Sequence, residues 1–311
     1  MRRAMPGALV IGAGVVGLTC AIRLREAGVD ADVVAREPPL ETTSAAAAAL
    51  WYPYRAFPRE RVAAWSARGF EVLRELAGVD ASGVRMRWGT ELVLGTAEDP
   101  WWRSAVPTFQ RTAEGYRFEA PVADMSVHLP WLADRLEALG GSLRIASVAS
   151  LDEALRCAPV VVNCTGLGAR ELDGDRVLMP VRGQVVYIEQ TGVDEWLLDQ
   201  ADARELVYIV PREHDVVLGG TAEEGVDGVQ PDPAVAVAIQ ERCAAALPAL
   251  ADARVLGTRV GLRPVRPAVR LEAEERGGGT VVHCYGHGGA GVTLAWGCAE
   301  EVVGLVTSRI G

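Results

Sequence analysis

Residues 7–37 read GALVIGAGVVGLTCAIRLREAGVDADVVARE, and this stretch decides the fold. Gly7 to Ile11 is the short, continuous apolar run of a buried strand. Val15 to Glu26 follows with apolar residues at helical spacing and closes at Gly28, a residue suited to end a helix. Asp30 to Val34 is a second apolar strand, so the unit fits in about 30 residues, the size of a βαβ crossover. Its turn is Gly12-x-Gly14-x-x-Gly17. Gly12 permits the tight turn, Gly14 admits backbone close to a pyrophosphate, and Gly17 lets the helix pack on the sheet. The helix N-terminus at Val15 and Val16 then presents free N–H groups and the positive end of a dipole to phosphate. Glu37, 20 residues beyond Gly17, can accept hydrogen bonds from ribose hydroxyls. Arg36 beside it suits either a 2′-phosphate or solvent, so the pair does not separate NAD, NADP and FAD.

Outward from this unit, α/β segments recur in the middle and at the end of the chain. Helices are predicted at Glu60 to Leu76, Pro130 to Leu139 (with proline opening the helix), Leu151 to Leu155, Asp232 to Leu247 and Val292 to Val306. Strands are predicted at Val84 to Leu94, Leu143 to Ala146, Val160 to Val162 and Val281 to Tyr285. Between Val181 and Gly220 alternating segments suggest antiparallel strands, and the surroundings of Trp101, Trp102 and Phe109 read as irregular. The pattern implies a discontinuous nucleotide-binding domain with a second, mainly antiparallel sheet inserted. The expected division is 1–77, 132–178 and 262–311 for the first, and 78–131 and 179–261 for the second.

The 311 residues are half hydrophobic and carry a formal net charge of −10, which excludes wholesale disorder and argues against nucleic acid and anionic membranes as partners. Arg2 and Arg3 before the apolar run Ala8 to Ile22 imitate a signal peptide, but no small-x-small cleavage site follows and the run contains the glycine motif. No other stretch is long enough to span a bilayer, and a cytoplasmic protein is expected. Six scattered cysteines form no C-x-x-C pair; His283-Cys284-x-x-His287 lacks a fourth ligand and runs into glycines, so no metal is expected.

Three further motifs carry chemistry. Thr42-Thr43-Ser44 precedes five alanines, Ala45 to Ala49, and Leu50-Trp51-Tyr52-Pro53-Tyr54. Small residues let backbone lie flat on a planar ring, and the hydroxyls can bond phosphate; in isolation, five alanines favour a plain helix. Tyr285-Gly286-His287-Gly288-Gly289-Ala290-Gly291-Val292-Thr293 places four glycines at a helix start, a second close backbone approach to a long ligand. Gly261-Leu262-Arg263-Pro264-Val265-Arg266-Pro267 holds arginines between prolines, either positioned to grip a carboxylate or standing in a surface turn.

Together with Val162-Asn163-Cys164-Thr165-Gly166, Arg182-Gly183-Gln184 and Tyr208-Ile209-Val210-Pro211, these segments make the chain resemble the D-amino-acid oxidase family almost from end to end. The resemblance implies an FAD enzyme with a Rossmann-type domain and a large antiparallel substrate sheet. It implies that Arg263 grips the substrate α-carboxylate, Tyr208 adds its hydroxyl and the Gly289 carbonyl accepts from the amine. The implied cofactor set adds Ala48, Ala49, Leu50, Val148, Thr165, Gly166, Gly286, Gly288, Gly291, Val292 and Thr293 to the residues of the first motif. The implied reaction transfers the α-hydrogen as hydride, and oxygen then yields hydrogen peroxide; orientation and electrostatics replace a protein base.

Arg204 and Ala290 stand where the animal enzymes carry tyrosines, and the loop before Tyr208 is short, so side-chain specificity does not carry over. The alanine- and arginine-rich composition and the absence of a Ser-Lys-Leu tail look bacterial. Neutral D-amino acids and oxygen are the expected substrates. D-aspartate oxidation, with Arg204 or Arg55 as the extra cation, and an NAD(P)-linked oxidoreductase are the alternatives. A monomer and a homodimer both stay open.

Overall fold

The computed structural model describes residues 5–93, 98–202 and 206–310. In chain order its first half contains β1 (Ala8–Ile11), α1 (Val15–Glu26), β2 (Ala31–Ala35), α2 (Arg59–Leu76), β3 (Val84–Leu92), β4 (Gln110–Arg111), β5 (Gly115–Ala123), α3 (Met125–Ala138) and β6 (Leu143–Ile145). The chain continues with α4 (Leu151–Leu155), β7 (Val160–Asn163), α5 (Ala169–Leu172), β8 (Met179–Glu189), β9 (Trp196–Asp199), β10 (Val207–Pro211), β11 (Asp215–Gly219) and β12 (Glu223–Glu224). It ends with α6 (Pro233–Ala246), β13 (Val255–Arg276), β14 (Gly279–His287) and α7 (Gly291–Ile310).

All these strands join one sheet, in the order β4-β5-β3-β9-β10-β11-β8-β13-β14-β7-β1-β2-β6, with β12 paired to β8. The end built of β14, β7, β1, β2 and β6 is wholly parallel. Its inner strands are largely apolar because helices cover both faces: β1 and β7 are buried at all four positions, whereas the edge strand β6 is mostly exposed. Helix α1 is buried along most of its length, and α2 presents the stripe Val62, Trp65, Ser66, Gly69, Phe70 and Leu73. Glycines set the close crossing of α2 and α7: a side chain at Gly297 would lie 2.5 Å from the Trp65 Cα.

The other end is antiparallel apart from the β3–β9 pair. Strand β13 joins the two ends. It pairs with β8 from Val255 to Val265, then with β14 from Arg270 to Arg276, with an irregularity between Val265 and Arg270. The proline-bounded arginine segment is therefore part of a strand rather than a turn. Pro264 and Pro267 lack the N–H a regular ladder needs, and they sit where the strand changes partners. Residue 262, one expected domain division, falls inside this strand.

Two other expectations change. Helix α3 begins at Met125, not Pro130, because Asp124 caps it by accepting from the Ser126 N–H at 3.0 Å; Pro130 lies inside the helix. The alanine run is not a helix. Thr43–Ala46 forms a single 3₁₀ turn, and the chain then extends to Leu50, which bridges to Val122 of β5. Arg2, Arg3, Leu94 and Arg204 lie outside the described residues.

Candidate active site

A cavity of about 910 Å³ opens along the carboxyl ends of β1 and β2, passes the N-terminus of α1, and continues to β10 and β13. That volume is at the top of the range of about 300–1,000 Å³ usual for small-molecule sites, which suits an extended dinucleotide. Of the residues expected to hold cofactor, all but Gly17 and Gly286 line it. Gly17 packs against the Gly12 carbonyl, where any side chain would collide, so it serves helix–sheet packing. Gly286 has φ +82° and backs onto the Arg266 side chain, so its role is the turn.

The remaining glycines of the first motif divide as their spacing suggests. Gly12 has φ +114°, and a Cβ there would lie 2.5 Å from the Cys164 carbonyl oxygen. A Cβ at Gly14 would meet two hydroxyls, Ser44 Oγ at 3.0 Å and Thr42 Oγ1 at 3.9 Å, and Gly14 lines the cavity. The Val15 N–H donates to Ser44 Oγ at 3.1 Å, which gathers a hydroxyl and a helix N-terminus at one point. Ala46 to Ala49 lie along the same wall, Ala46 closing the 3₁₀ turn and Ala49 in the left-handed region at φ +57°. Thr293 also lines the cavity, but its hydroxyl is engaged: it donates to the Tyr52 carbonyl and accepts from the Tyr52 N–H, both at 3.0 Å. These features fit FAD: Gly14, Val15, Ser44 and Thr42 would stand at its phosphates and Glu37 at its adenosine end, with the alanine wall free for a planar ring.

At the far end Tyr208, Arg263 and Gly289 are brought together with Tyr54. The Arg263 guanidinium lies against Gly183 of β8, donates to the Thr221 carbonyl at 2.9 Å and sits 5.9 Å from the centre of the Tyr54 ring. Among the described residues it makes no ion pair, although 23% of the chain is charged and most neighbouring arginines are paired. Burial pushes the Tyr208 phenol above its ordinary pKa and outweighs the nearby Arg263 charge, so the hydroxyl stays a donor at neutral pH. Gly289 is exposed to the cavity between buried neighbours, and its N–H donates to the Tyr54 carbonyl at 3.2 Å.

The other arginines do not join them. Arg266 turns to Asp175 at 2.9 Å, and Arg55 pairs with Glu224 at 2.7 Å. The His283-Cys284-x-x-His287 segment, from which no metal site is expected, splits between two buried groups. His283 faces Glu274, while Cys284 meets Cys20 and Cys164 on one side and His287 and Cys298 on the other, all buried. Hydrogen bonding to Cys164 and Cys284, together with burial, raises the Cys20 thiol well above its ordinary range.

Sequence reasoning missed Tyr54, Gly183 and a polar group formed by Tyr52, Glu91 and Gln200. Tyr52 Oη donates to Glu91 Oε1 at 2.6 Å, and Gln200 Nε2 donates to the same oxygen at 3.3 Å. Burial raises the Glu91 carboxyl while these two donors pull it down. Alternation along Val84 to Leu94 was visible, but the partner strands were not.

The model of the family described as FAD dependent oxidoreductase matches residues 8–117 and 102–305. The chain is 54% identical to D-amino-acid oxidase of Rubrobacter xylanophilus, over 99% of this chain and 98% of that protein. The chain belongs to the D-amino-acid oxidase family of FAD-dependent oxidoreductases. It is also 34% identical to human D-aspartate oxidase, over 97% of this chain and 94% of that protein. Its fold is similar to glycine oxidase of Geobacillus kaustophilus, with a TM-score of 0.78 and 19% identity over 98% of this chain and 95% of that one. Membership in this family makes FAD the cofactor of this protein.

Proposed function

We propose that this flavoenzyme oxidises neutral D-amino acids with molecular oxygen and water to 2-oxo acids, ammonia and hydrogen peroxide. The observation that carries the reading is the Arg263 guanidinium, without an ion pair among the described residues, beside Tyr208 and Gly289 at one end of the dinucleotide cavity. Arg263 binds the α-carboxylate through two parallel N–H donors, and Tyr208 adds a third. The Gly289 carbonyl accepts from the α-amine. With both groups held, the α-hydrogen of only one enantiomer is directed at the acceptor. FAD, when bound, supplies the two-electron acceptor and its reoxidation by oxygen. No carboxylate lines the Tyr54–Tyr208–Arg263 end among the described residues, so orientation rather than a general base is the protein's contribution.

The cofactor is held by Gly12, Gly14, Val15, Val16, Arg36, Glu37, Thr42 to Ser44, Ala48 to Leu50, Val148, Thr165, Gly166 and the 288–293 segment. In this reading 1–77, 132–178 and 262–311 form the FAD-binding part, and 78–131 and 179–261 the substrate part, with β13 continuous across their junction. The parallel and antiparallel ends of the sheet support that division. The neutral class is favoured over D-aspartate because Arg55 is already paired with Glu224. No helix among the described residues is long and apolar enough to cross a membrane, in keeping with a cytoplasmic bacterial enzyme.

Peroxide release by FAD-loaded protein over matched D- and L-amino acids tests the function. Turnover of D-alanine and D-valine with none of the L-forms is expected; comparable rates on both enantiomers would refute the pose.

A further inference from the structure

Four of the six cysteines and one of the four histidines converge behind the glycine turn, from elements far apart in the chain. Cys20 comes from α1, Cys164 from the residue after β7, Cys284 and His287 from β14, and Cys298 from α7. The sulfurs of Cys20, Cys164 and Cys284 lie within 4.8 Å of one another. The Cys284 and Cys298 sulfurs and a His287 ring nitrogen form a second group of the same size, so Cys284 belongs to both. All five residues are buried. Buried cysteines commonly act as small apolar side chains, and Cys243 does so here, its thiol turned to the Tyr208 and Gly219 carbonyls at 3.8 and 3.7 Å. The clustered sulfurs instead face one another. The His287 ring is 3% exposed, and its one partner among the described residues is the Cys284 sulfur at 3.9 Å. A buried imidazole is ordinarily better satisfied than that.

We propose that Cys20, Cys164 and Cys284 form a site for one monovalent copper ion, reached through the cofactor cavity, with His287 and Cys298 as further donors on the other side of Cys284. Metal–thiolate bonds of about 2.3 Å at 120° place three sulfurs about 4 Å apart, so the group needs to contract by less than about 1 Å. Three soft donors without a fourth suit low-coordinate Cu+, whereas Zn2+ takes four ligands in closed sites. A single charge is also cheaper than a double one to bring into an apolar interior. Each thiol that becomes a ligand releases its proton to solvent, so the ion is paired where it sits. Cys164, Cys284 and His287 line the dinucleotide cavity, while Cys20 and Cys298 are closed to solvent, which makes the cavity the route of entry. The Cys164 side chain backs the phosphate turn itself, its Cβ 3.4 Å from a Cβ placed at Gly17.

The test titrates the full chain anaerobically with Cu+ against a chromogenic Cu+ chelator, with and without bound FAD. Wild-type protein without FAD should take one equivalent from the chelator, and X-ray absorption should show sulfur neighbours at about 2.3 Å. Bound FAD should slow loading at least about tenfold. Cys284→Ser should weaken binding at least about 100-fold, whereas Cys157→Ser, at the exposed cysteine outside the cluster, should bind as wild type does. A thermal midpoint on each variant reports folding, and Cys20→Ala, with the same loss expected, replaces Cys284→Ser if that variant is unfolded. Full copper retention in a folded Cys284→Ser or Cys20→Ala, loss of binding in Cys157→Ser, or displacement of Cu+ by equimolar Zn2+ would overturn the site. Equally fast loading with FAD bound would overturn the entry route. Turnover is not read in this experiment, so its failure leaves D-amino-acid oxidation untouched.

Discussion

Gly183→Ala tests the carboxylate grip by removing space rather than charge. A Cβ at this position would lie 2.5 Å from the Cζ and Nη2 of Arg263 and nearer still to Nη1. Ordinary contact between such atoms needs about 3.5 Å, so the guanidinium must withdraw by roughly 1 Å or more. It would forfeit the 2.9 Å bond to the Thr221 carbonyl as it moves. The yielding atoms are the free end of a flexible side chain, so the fold should tolerate the change, with a stability loss of about 1 kcal/mol. Catalysis should not tolerate it, because displacing a positioning group by 1 Å costs on the order of 100-fold. The assay is kcat/KM for D-alanine by peroxide release, with flavin content and thermal midpoint measured on the same preparation. A Gly183→Ala enzyme with full flavin and kcat/KM within about threefold of wild type would show that the carboxylate does not bind where this guanidinium rests. Loss of the folded state would refute the claim that the side chain gives way.

Arg263→Ala should lower kcat/KM by about 30-fold to several-thousand-fold, equivalent to ~2–5 kcal/mol, with FAD retained; Arg263→Lys, which keeps charge without the fork, should also be damaging. Gly14→Val should yield protein without flavin colour, because its side chain enters the cavity at the α1 N-terminus; full flavin content would remove the phosphate assignment. His128 is wholly buried, and burial pushes its pKa down to about 4 while its Nδ1 contacts the Ser82 carbonyl at 2.8 Å. Its neutral form is the folded form, so stability is complete above the unfolded pKa of about 6.5 and falls as pH drops towards 4, by up to roughly 3 kcal/mol. Urea unfolding with FAD in excess should show that slope in wild type and a shallower one in His128→Gln; equal slopes would exclude His128 as its source.

What the sequence disclosed follows from the range of the interactions involved. The β1–α1–β2 unit was legible because its strand, glycine turn and helix lie within about 30 residues and each glycine has a local steric reason. The same local logic failed where tertiary pairing overrode propensity. Ala45 to Ala49 favour a helix in isolation, yet the chain past Ala46 extends against the cavity because Leu50 bridges to Val122 and Ala123 donates to the Ala49 carbonyl. Pro264 and Pro267 read as turn residues, but β13 runs through them because its two neighbours change at that point. Arg263 was legible through its motif, whereas Gly183 was not, since its need for a bare backbone exists only once β8 pairs with β13.

That pairing also explains why the arginine motif and the glycine-rich loop belong together. Gly261 pairs with Gly183, and Arg263, two residues on and on the same face, reaches across the position where Gly183 carries no side chain. The next residue, Pro264, gives its carbonyl to the Gly288 N–H at 2.9 Å, and Val265 pairs with His287. Tyr54 closes the ring from the other side: its carbonyl accepts from the Gly289 N–H, while its ring faces the Arg263 guanidinium. Arg263 and the Gly289 carbonyl are thus set relative to each other by a few backbone bonds rather than by long side chains. Gly288 has φ +57° and packs directly on the Arg55 carbonyl, so a side chain there would break the same ring. Positions that fix a substrate at both its carboxylate and its amine have to be this short and this rigid, since loose placement by even 1 Å forfeits about two orders of magnitude in rate.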